Sequence, residues 1–201
     1  MRIRAVIFDF GGVIARTMDF TSRDGLADRL GMTRLELEKL VFLGESGSNA
    51  QQGVISVDQH WTNLQKLLKL SPEEIEAFQK EFWGGDSIDT DLVDYIRSLK
   101  KRYRTGLLSN AFSDLRKRLV EGWKIADAFD EILISSEIGV TKPDLRIYHI
   151  ALERFGVAPD EAVFVDDFLH NVEAARSVGM HAIHFRNPDQ TRLELEQLLE
   201  D

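Results

Sequence analysis

The chain of 201 residues contains no cysteine. Without thiols there is no disulfide framework, no thiolate metal site and no cysteine nucleophile, so a bound metal must be held by oxygen or imidazole ligands. Hard cations such as Mg²⁺ are therefore the first expectation. Long apolar runs are missing too: none approaches the ~20 residues needed to cross a bilayer. The short run Met1 to Phe10 already contains Asp9 and is not followed by a small-residue cleavage site. No membrane association is expected, and a cytoplasmic location is. Nor is there a basic excess. Lys and Arg total 25 against 34 Asp and Glu, a formal net charge of −9, which argues against nucleic acid as a partner. No Gly-Lys-Ser/Thr loop occurs, and Gly11-Gly12 lacks the further glycine spacing of a dinucleotide-binding turn.

What is present is ordinary globular composition, 43% hydrophobic, enough for one core and a small accessory domain. Three short β-rich runs end in polar residues: Ala5-Val6-Ile7-Phe8 before Asp9, Thr105-Gly106-Leu107-Leu108 before Ser109, and Ala162-Val163-Phe164-Val165 before Asp166-Asp167. Each reads as a buried strand. Glu131 to Ile134 and His181 to Phe185 are two further candidates. Helical patterns lie between them. Leu92, Ile96 and Leu99 share a face, as do Leu145, Tyr148, Leu152 and Phe155 before Gly156. Val172 to Val178 runs up to Gly179, and Leu193, Leu195, Leu198 and Leu199 mark a last helix. This alternation predicts an α/β fold, a Rossmann-like parallel sheet with helices on both faces.

Residues 18 to 83 break the pattern. Helix signals follow one another there without a strand: Thr33 with Glu36 and Ser71-Pro72 with Glu74 are capping boxes, and Val57, Trp61, Leu64 and Leu68 form an apolar stripe. We expect a small all-helical cap inserted after the first strand, with residues 1–17 and 84–201 forming the core and Trp83-Gly84-Gly85-Asp86 the return hinge. Glu45-Ser46-Gly47-Ser48-Asn49 is the expected crevice-facing polar segment of that cap.

In an open parallel sheet, residues just past the strand ends converge on one crevice. That rule gathers Asp9, Ser109, Asp166 and Asp167, with Lys142-Pro143 joining before the Leu145 helix. Taken singly, Asp166 or Asp167 could cap a helix, Ser109 or Asn110 could serve a turn, and Lys142 could be a solvated surface lysine. Taken together, three carboxylates, a lysine and a hydroxyl carry a heavy burial cost unless a cation and an anion fill the site. Mg²⁺ with a phosphate meets both needs.

The ordered segments Asp9-Phe10-Gly11-Gly12-Val13, Leu107-Leu108-Ser109-Asn110, Gly139-Val140-Thr141-Lys142-Pro143-Asp144 and Phe164-Val165-Asp166-Asp167 with Asn171 resemble the four motifs of the haloacid dehalogenase superfamily. Within it they are most similar to small sugar-phosphate phosphatases, such as those acting on glucose 1-phosphate, and to the phosphatase-like amino-terminal domain of soluble epoxide hydrolases. The resemblance implies a Mg²⁺-dependent phosphomonoester hydrolase acting on a small phosphorylated metabolite, with Asp9 attacking phosphorus to form an aspartyl-phosphate. It implies a phosphate-holding set of Ser109, Asn110 and Lys142, with Lys142 also neutralising charge beside Asp9. The metal set it implies is Asp9, the Gly11 carbonyl and Asp167, with Asp166 acting through a water. The side chains of Asn110 and Asn171 are expected to position these groups.

One position departs from the family pattern. Most of its phosphatases carry a second aspartate two residues after the nucleophile, and here Gly11 stands there. No side chain at that position can protonate a leaving oxygen, a loss of roughly 10²–10⁴ in rate. Arg16, Asp19 and His60 are candidates by location for a replacement, although His60 beside Trp61 reads first as a packed helix residue. Two other activities stay open: a dehalogenase, which uses the same nucleophile without a metal, and a non-catalytic phosphate-binding or regulatory protein.

Overall fold

The computed structural model describes residues 2–200; residues 1 and 201 lie outside the described residues. Strand β1 (Ala5–Phe8) leads into a short β2 (Ala15–Thr17), then five helices, α1 (Thr21–Arg29), α2 (Arg34–Phe42), α3 (Glu45–Gln51), α4 (Val57–Leu68) and α5 (Pro72–Phe82). The chain returns through β3 (Asp86–Ile88), α6 (Thr90–Leu99), β4 (Arg104–Ser109) and the short α7 (Leu115–Lys117), which runs on into a wider helical turn to Gly122. It closes with β5 (Glu131–Ile134), α8 (Ser135–Ile138), α9 (Leu145–Phe155), β6 (Ala162–Asp166), α10 (Leu169–Ser177), β7 (His181–His184) and α11 (Pro188–Glu200).

The main sheet is parallel, in the order β5-β4-β1-β6-β7. Strands buried on both faces read as continuous apolar runs, and β1 is buried along its whole length. Its side chains alternate between two cores. Val6 and Phe8 join Leu107, Val163 and Val165 under α6 and α11, while Ala5 and Ile7 join Leu108 and Phe164 under α9 and α10. Helix α9 departs from the expected stripe in one respect. Ile147 and Ala151 are buried with Tyr148, Leu152 and Phe155, whereas Leu145, at the border of that arc in the first turn, is 44% exposed. In α11, Leu195 is buried and Leu193, two residues earlier on the opposite side, faces outward.

Helices α1 to α5 pack around their own core, which includes Leu37, Trp61, Leu64, Phe78 and Phe82. Both capping boxes form, at Thr33/Glu36 and Ser71/Glu74. This module joins the sheet through an antiparallel ribbon pairing Ala15 with Ile88 and Thr17 with Asp86. The ribbon has no apolar run to announce it, because its strands read Ala-Arg-Thr and Asp-Ser-Ile. Gly85 lies where the outgoing and returning chains cross: a Cβ there would sit 1.7 Å from the Asp19 carbonyl oxygen. Arg16 pairs with Asp89 at 2.6 Å, and Arg23 reaches both Asp86 and Glu38 at 3.0 Å. The Glu45–Asn49 segment is part of α3, and Ser46 turns into the module, with its hydroxyl 3.0 Å from His60 Nδ1 and accepting from Asn63 at 3.1 Å.

Candidate active site

Strand ends place the chemistry. Asp9 directly follows β1, Ser109 ends β4, and Asp166 ends β6 with Asp167 next; Asp9, Ser109 and Asp166 are buried. Lys142 arrives on the loop after α8, its peptide bond to Pro143 cis. Its Nζ lies 2.8 Å from Asp9 Oδ1 and 2.6 Å from Asp166 Oδ2, with the side chain 1% exposed. A solvated surface lysine is thereby excluded. Asn110 fixes this loop: its amide donates to the Lys142 carbonyl at 2.9 Å, and its side-chain oxygen accepts from the Lys142 N–H at 2.8 Å. Because the carboxamide is used at both ends, the Asn110 side chain braces the lysine. The expectation that it holds phosphate is corrected to that extent.

The carboxylates are not equivalent. Asp9 Oδ1 accepts from the Phe10 N–H at 2.7 Å as well as facing Lys142. Asp166 accepts from Lys142, from the Phe168 N–H at 2.8 Å and from Asn171 Nδ2 at 3.0 Å. Asp167 is different, since its Oδ1 is buried without a hydrogen-bond partner among the described residues. A buried polar atom left unpaired carries a desolvation cost of about 1–3 kcal/mol, and more when charged. One oxygen from each of Asp9, Asp166 and Asp167 can be chosen so that all three lie within 4.8 Å of one another.

Burial is the main reason the Asp9 carboxyl is pushed up to about 7; Lys142 opposes the shift, while Asp166 and Asp167 add to it. Burial, then the neighbouring Asp166, raises Asp167 to about 6. For Lys142, burial alone would lower the ammonium, but Asp9 and Asp166 outweigh it and hold the group above its ordinary value. Such a pocket of negative charge, all oxygen donors with one oxygen unpaired, suits a small divalent cation.

Glycines complete the cradle. Gly12 has φ +79°, and a Cβ there would fall 2.1 Å from Asp167 Oδ2, so backbone passes where any side chain would displace the carboxylate. A Cβ on Gly11 meets nothing within 4 Å. The missing acid has thus left open space. None of the three replacement candidates is idle. Arg16 is paired with Asp89, exposed Asp19 accepts from the Thr21 N–H at 2.9 Å, and His60 is fully buried between Trp61 and Phe112, its ring 5.0 and 4.8 Å from theirs.

Sequence reasoning passed over His184, whose Nε2 lies 2.9 Å from the Asp167 carbonyl oxygen, and Tyr148, whose hydroxyl donates to the Asn171 carbonyl at 3.0 Å. These contacts link residues 17 and 23 positions apart, and no local pattern signals them.

A family model described as haloacid dehalogenase-like hydrolase matches residues 3–179. The chain is 32% identical over 203 residues to the sesquiterpene phosphatase astK of Aspergillus oryzae, covering 98% of this chain and 96% of that one. It is 29% identical over 212 residues to the D-ribitol-5-phosphate phosphatase of Bacteroides thetaiotaomicron, covering 98% of each. A crystal structure of a HAD-family enzyme from the same bacterium, in complex with magnesium and inorganic phosphate, shares the fold. Its TM-score is 0.78 at 22% identity, over 95% of this chain and 98% of that one.

Proposed function

The chain belongs to the haloacid dehalogenase-like hydrolase family, and on that premise we propose that it is a Mg²⁺-dependent phosphomonoester hydrolase. Its substrate is a small phosphorylated metabolite, and the helical module from residue 18 to 83 acts as the cap over the crevice. The observation that carries this reading is the division among the carboxylates: Lys142 bridges Asp9 and Asp166, while Asp167 Oδ1 stays buried and unpartnered. A dehalogenase needs no cation, and for it that oxygen would be an uncompensated cost. Relatives named as phosphatases at near full length support the same choice.

Asp9, the Gly11 carbonyl and Asp167 would hold Mg²⁺, with Asp166 acting through a water. When bound, the ion offsets negative charge gathering on the phosphoryl oxygens. Lys142 and Ser109 bind the non-bridging oxygens, and Lys142 favours the ionised form of Asp9 beside them. An Asp9 carboxylate oxygen bonds to phosphorus as the bond from phosphorus to the leaving oxygen breaks. Water then cleaves the aspartyl-phosphate, releasing inorganic phosphate and restoring Asp9. Because Gly11 carries no proton, the leaving oxygen draws its proton from water or departs as a stable anion. Anomeric and acyl phosphates are accordingly the favoured substrates, and esters of simple alcohols poorer ones.

The decisive measurement is phosphate release from an aryl phosphate with and without Mg²⁺. Chelation abolishes it, and Asp9→Asn lowers kcat by about 10⁴-fold or more. Release that survives Asp9→Asn would sink the mechanism, and no release across a panel of phosphorylated metabolites favours a binding protein. Gly11→Asp has room for its side chain and should flatten the dependence of rate on leaving-group pKa; an equally steep slope in wild type and variant rules out the leaving-group preference.

A further inference from the structure

At the amino-terminal edge of the sheet, the end opposite the crevice, lies a cavity of about 610 Å³. Arg4 precedes β1 and Asp9 follows it, so five residue steps of extended chain, about 16 Å at 3.3 Å per residue, separate the two places. The cavity wall carries six cations, Arg2, Arg4, Lys100, Lys101, Arg102 and Arg104. Against them stand two carboxylates, Asp130 and Glu161. This concentration of positive charge occurs in a chain whose net charge is −9. A solvated charged surface has no reason to sort its signs so sharply.

Ion pairing separates the six. Arg4 is matched by Glu161 at 3.0 Å, Lys100 by Asp130 at 3.3 Å, and Arg104 by Glu131 at 3.6 Å. Arg2, Lys101 and Arg102 have no carboxylate within ion-pair distance among the described residues and are exposed. The floor is firm, with Ile3 and Tyr103 both buried. Backbone bonds tie the walls together: the Arg104 N–H donates to the Arg4 carbonyl at 2.8 Å, and the Arg4 N–H to the Glu161 carbonyl at 2.7 Å. Arg102 also lies over the Tyr103 ring at 5.4 Å, and three cations without a carboxylate partner at a cavity of small-ligand size fit three or four adjacent negative charges. A single phosphate supplies at most two.

The geometry points to a second anion site here, separate from the catalytic crevice, for a small ligand carrying two or more linked phosphate groups. Arg2, Lys101 and Arg102 engage the phosphates, and the paired cations Arg4, Lys100 and Arg104 set the surrounding field. This site stands independently of the proposed hydrolysis. Its ligand can be a free polyphosphate or the phosphate chain of a nucleotide, since both present the same charges.

Titration calorimetry of the full chain in chelator, with inorganic tripolyphosphate as probe, tests it. Binding is expected to be at least about tenfold tighter than for orthophosphate and to weaken at least about tenfold in Lys101→Gln/Arg102→Gln, a difference of 1.4 kcal/mol. Exposed cations on the helical module serve as the control, so Lys66→Gln/Lys80→Gln should leave the affinity unchanged. Asp9→Asn should also leave it unchanged, because the crevice is not the site. A nucleoside triphosphate matching tripolyphosphate assigns recognition to the phosphates. The inference is overturned if tripolyphosphate binds no more tightly than orthophosphate, or if both double variants weaken it equally. Loss of binding in Asp9→Asn, or an oligonucleotide binding more tightly than tripolyphosphate, overturns it as well.

Discussion

In the sheet core three carboxylates are gathered around one buried lysine, whereas the helical module buries a single ion-paired arginine, Arg23, and a histidine imidazole among aromatic rings. Phe42, Phe82 and Phe78 stack or tilt against one another at 5.5 to 6.2 Å, and His60 packs against Phe112 at 4.8 Å. The core can hold charge because backbone N–H groups at the strand ends and the braced lysine are oriented before anything binds. Apart from Arg23, whose charge is met by Glu38, Asp86 and the Phe82 carbonyl, the module has no such array, and burial disfavours the charged form of His60. Burial pushes the His60 imidazole down to about 4. Preorganised polarity belongs to the sheet edge, and adaptable apolar surface to the insertion.

Three experiments can break that contrast. The largest effect is expected for Lys142→Met, which leaves Asp9 and Asp166 facing each other without a cation. Stability at neutral pH should fall by about 3–5 kcal/mol with activity lost, and the stability deficit should shrink in acid as the carboxylates protonate. A deficit independent of pH would mean that Lys142 acts through packing and not charge.

Phe112→Ala comes next. Phe112 sits on the core loop three residues after Ser109, yet its ring belongs to the module's apolar cluster. The loss should be about 3 kcal/mol, read by denaturant unfolding, with KM raised more than kcat is lowered if the module covers the crevice. Unchanged KM would detach the module from substrate binding.

The smallest effect is the dependence of metal-free stability on pH. The Asp9 and Asp167 carboxyls are raised in the folded chain, so their contribution is full below their ordinary value of 3.8 and is lost as pH rises through about 6 to 7. His60 runs the other way: its lowered value gives a contribution present above 6.5 and lost as pH falls toward 4. His60→Gln should therefore flatten the acid limb alone, and Mg²⁺ should remove the loss on the neutral side alone. His60→Gln and Mg²⁺ acting on one common limb would erase the distinction.

Much of this core was legible because its strands are continuous apolar runs that stop at acids, and stopping points in a parallel sheet share one edge. The capping boxes were legible because their partners lie three residues apart. The ribbon was not, since three-residue strands rich in polar groups carry no periodicity. Asn110 as a brace for Lys142 joins positions 32 residues apart, a contact made by the sheet and by no local rule. Ser46 was misplaced for a related reason. Its polar segment reads as crevice-facing, but the Ser46 hydroxyl meets a buried histidine 14 residues on.

The β2–β3 ribbon has a topological consequence. Antiparallel partners lie about 5 Å apart, and Thr17 and Asp86 are such partners, tied also by a side-chain hydrogen bond of 2.6 Å. Viewed from the sheet, everything from Met18 to Gly85 is a closed excursion whose two ends coincide. A tight turn could replace it without disturbing strand order, and helical assemblies of other sizes could be spliced at the same junction. The sheet frame and the inserted module are thus separable parts, free to diverge at different rates.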